Sequence, residues 1–212
     1  MSKWQGALCC AAVTLISATL TGCSLGPRAT EQPVTYDLGS PTAHAAANPG
    51  ITAVLLLPEV GGPAWLSGPG IVYRLNYENA ERPQTYALSR WAAAPPALLT
   101  QRLRSRFAAA AVNGVVTAAD GARADYLLRV ELEDFSQSFD APNSSRVALR
   151  ARASLVNVAN RSLVGQRVFA VERAAPSPDA PGAVQALNAA SEDFLESLLR
   201  WTEERLKSAG GK

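Results

Sequence analysis

The sequence predicts an α/β protein: a single domain whose mixed, mostly antiparallel sheet is covered on one face by two main helices. Segments 126–135, 146–158 and 163–172 alternate apolar and polar residues, as half-buried strands do. Two longer segments, one opening at Pro95 and one over 183–207, place apolar residues near helical spacing. The strands between these helices are expected to pair antiparallel, which disfavours a doubly wound nucleotide-binding fold.

The chain begins with the pattern of a lipoprotein signal peptide over residues 1–22. Lys3 precedes an apolar run, 7–20, that is shorter than the roughly 20 residues a membrane-spanning helix needs. The run ends at Leu20-Thr21-Gly22-Cys23, which resembles the bacterial lipobox. That resemblance implies a diacylglycerol on the Cys23 sulfur and, after cleavage, a third acyl chain such as palmitate. Several acyl chains hold a protein on a membrane far more firmly than one.

Cys23 is the only cysteine that remains after processing, because Cys9 and Cys10 lie inside the signal peptide. The mature chain of 190 residues therefore has no disulfide. In many bacteria, Asp directly after the lipidated Cys retains a lipoprotein in the inner membrane, and this chain has Ser24. We therefore expect the periplasmic face of the outer membrane.

Residues 23–50 are expected to form a lipidated, flexible tether, because they are rich in Pro, Ala, Thr and Gly. Within them, 34–38 reads as a short edge strand. The folded domain is expected to span 51–212 and to open with the apolar run 51–57, which indicates a strand in the middle of the sheet, buried on both faces.

The elements that follow are punctuated by Gly and Pro. Residues 61–70 predict a loop that carries Trp65, and 71–75 with 85–88 predict a β-hairpin. The helix from Pro95 is expected to end at Gly114, with its apolar side chains and its arginines on separate faces. The three later strands should form an antiparallel meander, on which the last helix packs.

Few residues offer catalytic or metal-binding chemistry. The formal charge of +2 for the whole chain, or +1 without the signal peptide, gives no indication of nucleic-acid binding. His44, the one histidine, lies in the tether. Glu131, Glu133 and Asp134 form an acidic cluster that we interpret as a solvated strand face opposite arginines of the next strand. The chain is therefore expected to be no enzyme and to use no cofactor or metal.

Large apolar residues in predicted loops and at a hairpin tip remain to be explained. They are Trp65, Leu66, Trp91, Phe135 and Phe139. Such side chains either fold into the core or mark a surface for a partner or for lipid. The sequence leaves both alternatives open.

The order of segments resembles the ABC-type transport auxiliary lipoproteins, most of all the paraquat-inducible, PqiC-like type. The resemblance rests on the lipobox, Tyr36-Asp37-Leu38-Gly39, a strand ending at Pro58, Ile71-Val72-Tyr73-Arg74, Tyr86, and Arg90-Trp91 before a Pro-led helix. The family often has Asp-Arg shortly before the Ile-Val-Tyr-Arg stretch, where this chain has Leu66-Ser67-Gly68-Pro69-Gly70.

The resemblance implies an outer-membrane partner of an inner-membrane transporter with MCE domains, which carries phospholipid or other apolar molecules. Tyr73, Arg74 and Trp91 are positions of the family pattern that either bind a partner or build the fold, and Trp65 is a further candidate. Assembly into a homo-oligomer is compatible with this role. The alternatives are a structural lipoprotein that binds peptidoglycan or an envelope assembly machine, and a hydrolase that uses the acidic cluster.

Overall fold

A computed structural model describes residues 31–39 and 50–210 of the chain. The predicted signal peptide, Cys23 and His44 lie outside the described residues, as does most of the predicted tether. Pro33 onward belongs to one compact unit. The strands are β1 Val34–Tyr36, β2 Leu55–Leu56, β3 Gly70–Leu75, β4 Ala80–Trp91, β5 Val115–Val116, β6 Tyr126–Ala141, β7 Ser144–Asn157 and β8 Leu163–Ala174. The α-helices are α1 Asn76–Asn79, α2 Pro95–Ala110 and α3 Ala180–Gly210.

The sheet is built around the long strand β6. One edge of β6 carries the antiparallel strands β7 and then β8. The other edge pairs in parallel with β3 near its C-terminal end and with β2 near its N-terminal end. Beyond β3 come β4, antiparallel, and β1, parallel, while β5 lies beyond β2. The sheet is therefore mixed, and its two longest ladders are antiparallel, as the sequence predicts.

The predicted meander and hairpin are confirmed, with strands longer than the sequence indicates. β6 runs past Phe135 to Ala141, and β4 runs back to Ala80 and on to Trp91. A β-bulge between Leu132 and Asp134 leaves Glu133 without a partner in the β6–β7 ladder. Such a bulge bends the strand and redirects the side chains around it.

The two longer helices cover one face of the sheet, as predicted. The α3 helix packs on β7 and β8, and α2 packs beside it. The inward residues of the strands alternate with solvated ones, which places a continuous apolar layer under the helices. Its largest fully buried side chains are Trp91, Phe107, Phe135 and Phe194, with leucines and isoleucines between them. No helix in the described residues combines the length and the apolar composition of a membrane span.

Two expectations about the N-terminal half are tested by the strand pairing. The predicted edge strand is present as β1, which among the described strands pairs with β4 alone. The apolar run 51–57 was expected to be one continuous strand, but only Leu55 and Leu56 pair with both neighbours. In the remainder of the run, Ile51 is bridged to Ala111 and buried, and Leu57 is buried, whereas 52–54 are exposed or half-buried and include a bend.

The expected separation of arginines from the apolar face of α2 is wrong for Arg102. This side chain is 10% exposed and lies among the core residues Leu98, Leu99 and Leu103. Its guanidinium is stabilised there because it donates to the Leu38 carbonyl and pairs with Glu192 of α3. A buried charge is tolerated only with such partners.

Candidate functional site: the open sheet face beside Trp65

The sheet face opposite the helices carries a ladder of ion pairs between β6 and β7. Glu131 pairs with Arg152, and also with Arg129 at 2.8 Å. Glu133, the residue at the bulge, pairs with Arg150 at 2.9 Å. The acidic cluster therefore lies opposite the arginines of the neighbouring strand, in agreement with our interpretation of the sequence.

The electrostatic setting of these carboxylates differs along the strand. Hydrogen bonding from Arg152 holds the pKa of Glu131 below its ordinary value, so this carboxylate stays ionised and is a poor general acid. Burial raises the pKa of Asp134, which accepts a hydrogen bond from the Ser136 hydroxyl at 2.7 Å. No group of three or more metal-ligating side chains occurs within 31–39 and 50–210.

Trp65 projects from a single 3₁₀ turn, Ala64–Leu66, at one end of this face. Successive residues of a 3₁₀ turn point about a third of a turn apart, so burying Leu66 directs Trp65 outward. Leu66 is 1% exposed, whereas Trp65 is 38% exposed. Pro63 fixes the extended entry to the turn, and the Ser67 hydroxyl donates to the Ala64 carbonyl at 2.6 Å.

Arg74 of β3 stacks on Trp65. The guanidinium carbon lies 5.4 Å from the ring centroid, a cation–π distance. One guanidinium nitrogen donates to the Ala80 carbonyl at 3.2 Å, which ties the arginine to the start of β4. We call Trp65 and Arg74 the Trp65–Arg74 surface.

A groove of about 350 Å³ runs between the Trp65 turn and the ion-pair ladder. Its walls are the residues Gly62, Pro63, Trp65, Glu131, Leu132, Glu133 and Arg152. The groove thus combines an aromatic ring and a proline with two carboxylates and a guanidinium. Glu131 and Glu133 both line the groove, so two members of the acidic cluster that the sequence indicates lie in one wall.

Tyr73 lies on the opposite face of β3 from Arg74, because adjacent strand residues point to opposite sides. Its ring packs 4.7 Å from the ring of Tyr86, and its hydroxyl donates to Gln84 at 3.2 Å. The Tyr86 hydroxyl donates to fully buried Gln137 at 2.6 Å. Burial, with Asp179 and Tyr73 nearby, raises the pKa of Tyr86, so the phenol remains a donor.

Trp91 belongs to the core. It is 1% exposed, its ring centroid is 5.6 Å from that of Phe135, and its amide donates to the Pro69 carbonyl at 2.7 Å. Phe135, Phe139 and Leu66 are buried as well. Of the large apolar residues that the sequence left open, Trp65 alone offers an exposed ring, and Arg74 is the family-pattern position beside it.

Residues 36–198 match the family model of the ABC-type transport auxiliary lipoprotein component. The chain belongs to this family. The family model extends from the last residue of β1 through most of α3, so the Trp65–Arg74 surface and the ion-pair ladder lie inside the matched region. No curated protein sequence gives a significant match.

Two solved structures share the fold. Protein XCC0632 from Xanthomonas campestris superposes with a TM-score of 0.71 at 20% identity, over 84% of this chain and 100% of that one. An uncharacterized protein gives a TM-score of 0.61 at 19% identity, over 81% of this chain and 99% of that one. Both are similar to this auxiliary lipoprotein along nearly their whole length, and at these identities the likeness concerns the fold.

Proposed function

We propose that this protein is a lipoprotein, anchored through Cys23 at the periplasmic face of the outer membrane, that serves an MCE-containing ABC transport system. In this role it is a non-catalytic partner in the transfer of lipid or another apolar solute between membranes. The observation that carries the proposal is the family match over residues 36–198. The lipobox at Cys23 and Ser24 after it support the anchor and its membrane.

We propose further that the Trp65–Arg74 surface and its groove receive the MCE-domain partner. Tryptophan and arginine are the residue types that most often dominate binding energy in protein interfaces. The flanking ion pairs are partly exposed, so replacing one of their members by a charged group of the partner costs little. An exposed aromatic ring beside such exchangeable charges fits a polar, reversible docking site.

A photo-crosslinking experiment tests this surface. Benzoylphenylalanine in place of Trp65 should capture a permease-associated MCE protein in intact cells. The matched control replaces Val168, an exposed apolar residue of β8 on the same sheet face. Equal capture from both positions, or capture without any transporter component, would count against docking at Trp65.

The non-catalytic role has its own test in the acidic cluster. Glu131→Gln and Glu133→Gln together keep the shape of both side chains and remove their charge. Because both carboxylates line the proposed docking groove, we expect any loss of envelope function in a sensitised strain to be matched by an equal loss of partner capture. Loss of function with unchanged stability and unchanged partner capture would instead indicate that the carboxylates perform chemistry.

A further inference from the structure

The last residue of β1 and the three residues after it make several hydrogen bonds and a buried contact with the rest of the domain. Tyr36 stands in register with Trp91, and the Ala92 amide donates to the Tyr36 carbonyl at 2.6 Å. Leu38 is buried, although the residues on either side of it are exposed. We call Tyr36–Gly39 the strap.

Arg102 holds the strap from the helical layer. Its guanidinium donates to the Leu38 carbonyl and, at 3.1 Å, to Glu192 on α3. The arginine thereby joins three parts of the chain, the strap and the two long helices. Since the guanidinium is buried, the loss of either acceptor would leave one of its nitrogens without a hydrogen-bond partner, which is costly for a buried charged group.

The strap is shaped by its own turn. The Asp37 carboxylate accepts a hydrogen bond from the Gly39 amide at 2.7 Å. Gly39 has φ of +72°, a left-handed conformation that glycine adopts without strain and other residues adopt at a cost. A methyl group at Gly39 would meet Arg102 at ordinary contact distance, so the demand for glycine here comes from the backbone angle.

Outside the strap, little holds β1. It is three residues long and, within residues 31–39 and 50–210, lies at the sheet edge with β4 as its one partner strand. Val34, at its start, is 54% exposed. A short edge strand with few buried contacts is the type of element that opens locally while the rest of a domain stays folded.

We propose that the strap is a latch that sets the length of the membrane tether, and that Arg102 is its positioning residue. This inference rests on the proposed anchoring through Cys23. Val34 follows Cys23 by 11 residues, so with the strap closed the chain between them reaches at most about 40 Å. With the strap open, residues 34–39 add to that chain, and its greatest reach rises by about 20 Å.

Hydrogen–deuterium exchange on the mature chain, residues 23–212, tests the latch without any lipid. In Arg102→Met, amides of the peptide 33–39 should exchange at least tenfold faster, while those of β6 and β7 keep their natural rates. Gly39→Val should have the same effect, because it strains the turn of the strap and leaves Arg102 in place. Arg123→Met, which removes an exposed arginine, is the control and should change neither.

Tether length is measured on the same variants. Cys23 is the one cysteine of the mature chain, so spin labels on Cys23 and on Arg123→Cys report a single distance. The distance distribution should widen and move outward when Arg102→Met is added. Unchanged exchange at 33–39 in both latch variants, or an unchanged distance, would overturn the latch. Failure of lipid attachment in cells would overturn the anchor and leave both measurements standing.

Discussion

At the scale of single residues, the two tryptophans that the sequence could not separate have opposite roles. Trp91 is packed against Phe135 in the core, whereas Trp65 stands at the surface under Arg74. The sequence places both beside glycine, proline or small residues, which is why neither could be assigned. The local structure decides which tryptophan is buried. Leu66 occupies the buried position of the turn that carries Trp65, whereas Trp91 is the buried last residue of β4.

This contrast predicts different stability effects for the same substitution. Trp91→Ala should lower the free energy of unfolding by about 3–5 kcal/mol, because it removes a fully buried aromatic side chain and leaves a cavity. Trp65→Ala should lower it by less than about 1 kcal/mol, as expected for an exposed side chain. Urea denaturation followed by circular dichroism measures both, and similar losses in the two variants would contradict the assignment.

The burial of Arg102 could not be predicted from the periodicity of the helix sequence. On a helical projection it lies within about 40° of both Arg106 and Leu98, at the border of the apolar face, and the pattern assigns it to the polar side with Arg106. Its acceptors are 64 and 90 positions away in the sequence, on the strap and on α3. Only the tertiary fold brings a carbonyl and a carboxylate to this side chain, and so the periodicity led to the wrong face.

At the scale of elements, the long helix α3 begins at a side-chain cap. The Asp179 carboxylate accepts hydrogen bonds from the Gly182 amide at 2.8 Å and from the Ser177 hydroxyl at 2.6 Å. Asp179→Ala should lower the free energy of unfolding by about 1 kcal/mol at neutral pH, as the loss of such a cap does. Asp193→Ala removes an exposed, ion-paired carboxylate of the same helix and should cost less.

The same cap predicts a dependence on pH. The hydrogen bonds from Ser177 and Gly182 lower the pKa of Asp179 from its ordinary value of 3.8. A carboxyl whose pKa is lower in the folded state stabilises the fold fully above its ordinary value, and this stabilisation is lost as the pH falls through the lower pKa. The stability difference between the natural chain and Asp179→Ala should therefore shrink between pH 5 and pH 2. A difference that stays constant would show that the charge of the cap contributes nothing.

Elements with strong local periodicity could be predicted from the sequence, and those defined by partners could not. The β6–β7–β8 meander and α3 follow from alternation and helical spacing within single segments. By contrast, β2 is two residues long because its neighbours β5 and β6 meet it only there, although its apolar run is longer. The bulge at Glu133 has no signal of its own in the sequence, whereas the acidic character of this strand face follows from the alternation of 126–135.

At the scale of the whole molecule, the two faces of the sheet differ. The helices close one face of the sheet over the core, and the other face remains open with its ion-pair ladder and the Trp65–Arg74 surface. The strap joins the chain that leads from Cys23 to the helical layer through Arg102. The part of the domain that receives the proposed tether is therefore distinct from the part proposed to meet the partner.

This separation predicts that the anchor and the fold can be uncoupled. Cys23→Ala, exported with an ordinary cleavable secretory signal, should fold with the stability of the natural chain, because Cys23 precedes the first residue of the compact unit. Cell fractionation should move the protein from the membrane to the soluble periplasm, and transport-dependent growth should be lost. As a control, the same chain behind another lipoprotein's signal peptide and lipidated cysteine should recover both. Full complementation by the soluble form would show that function does not require the protein at the membrane. Binding to a soluble partner would then explain its role better.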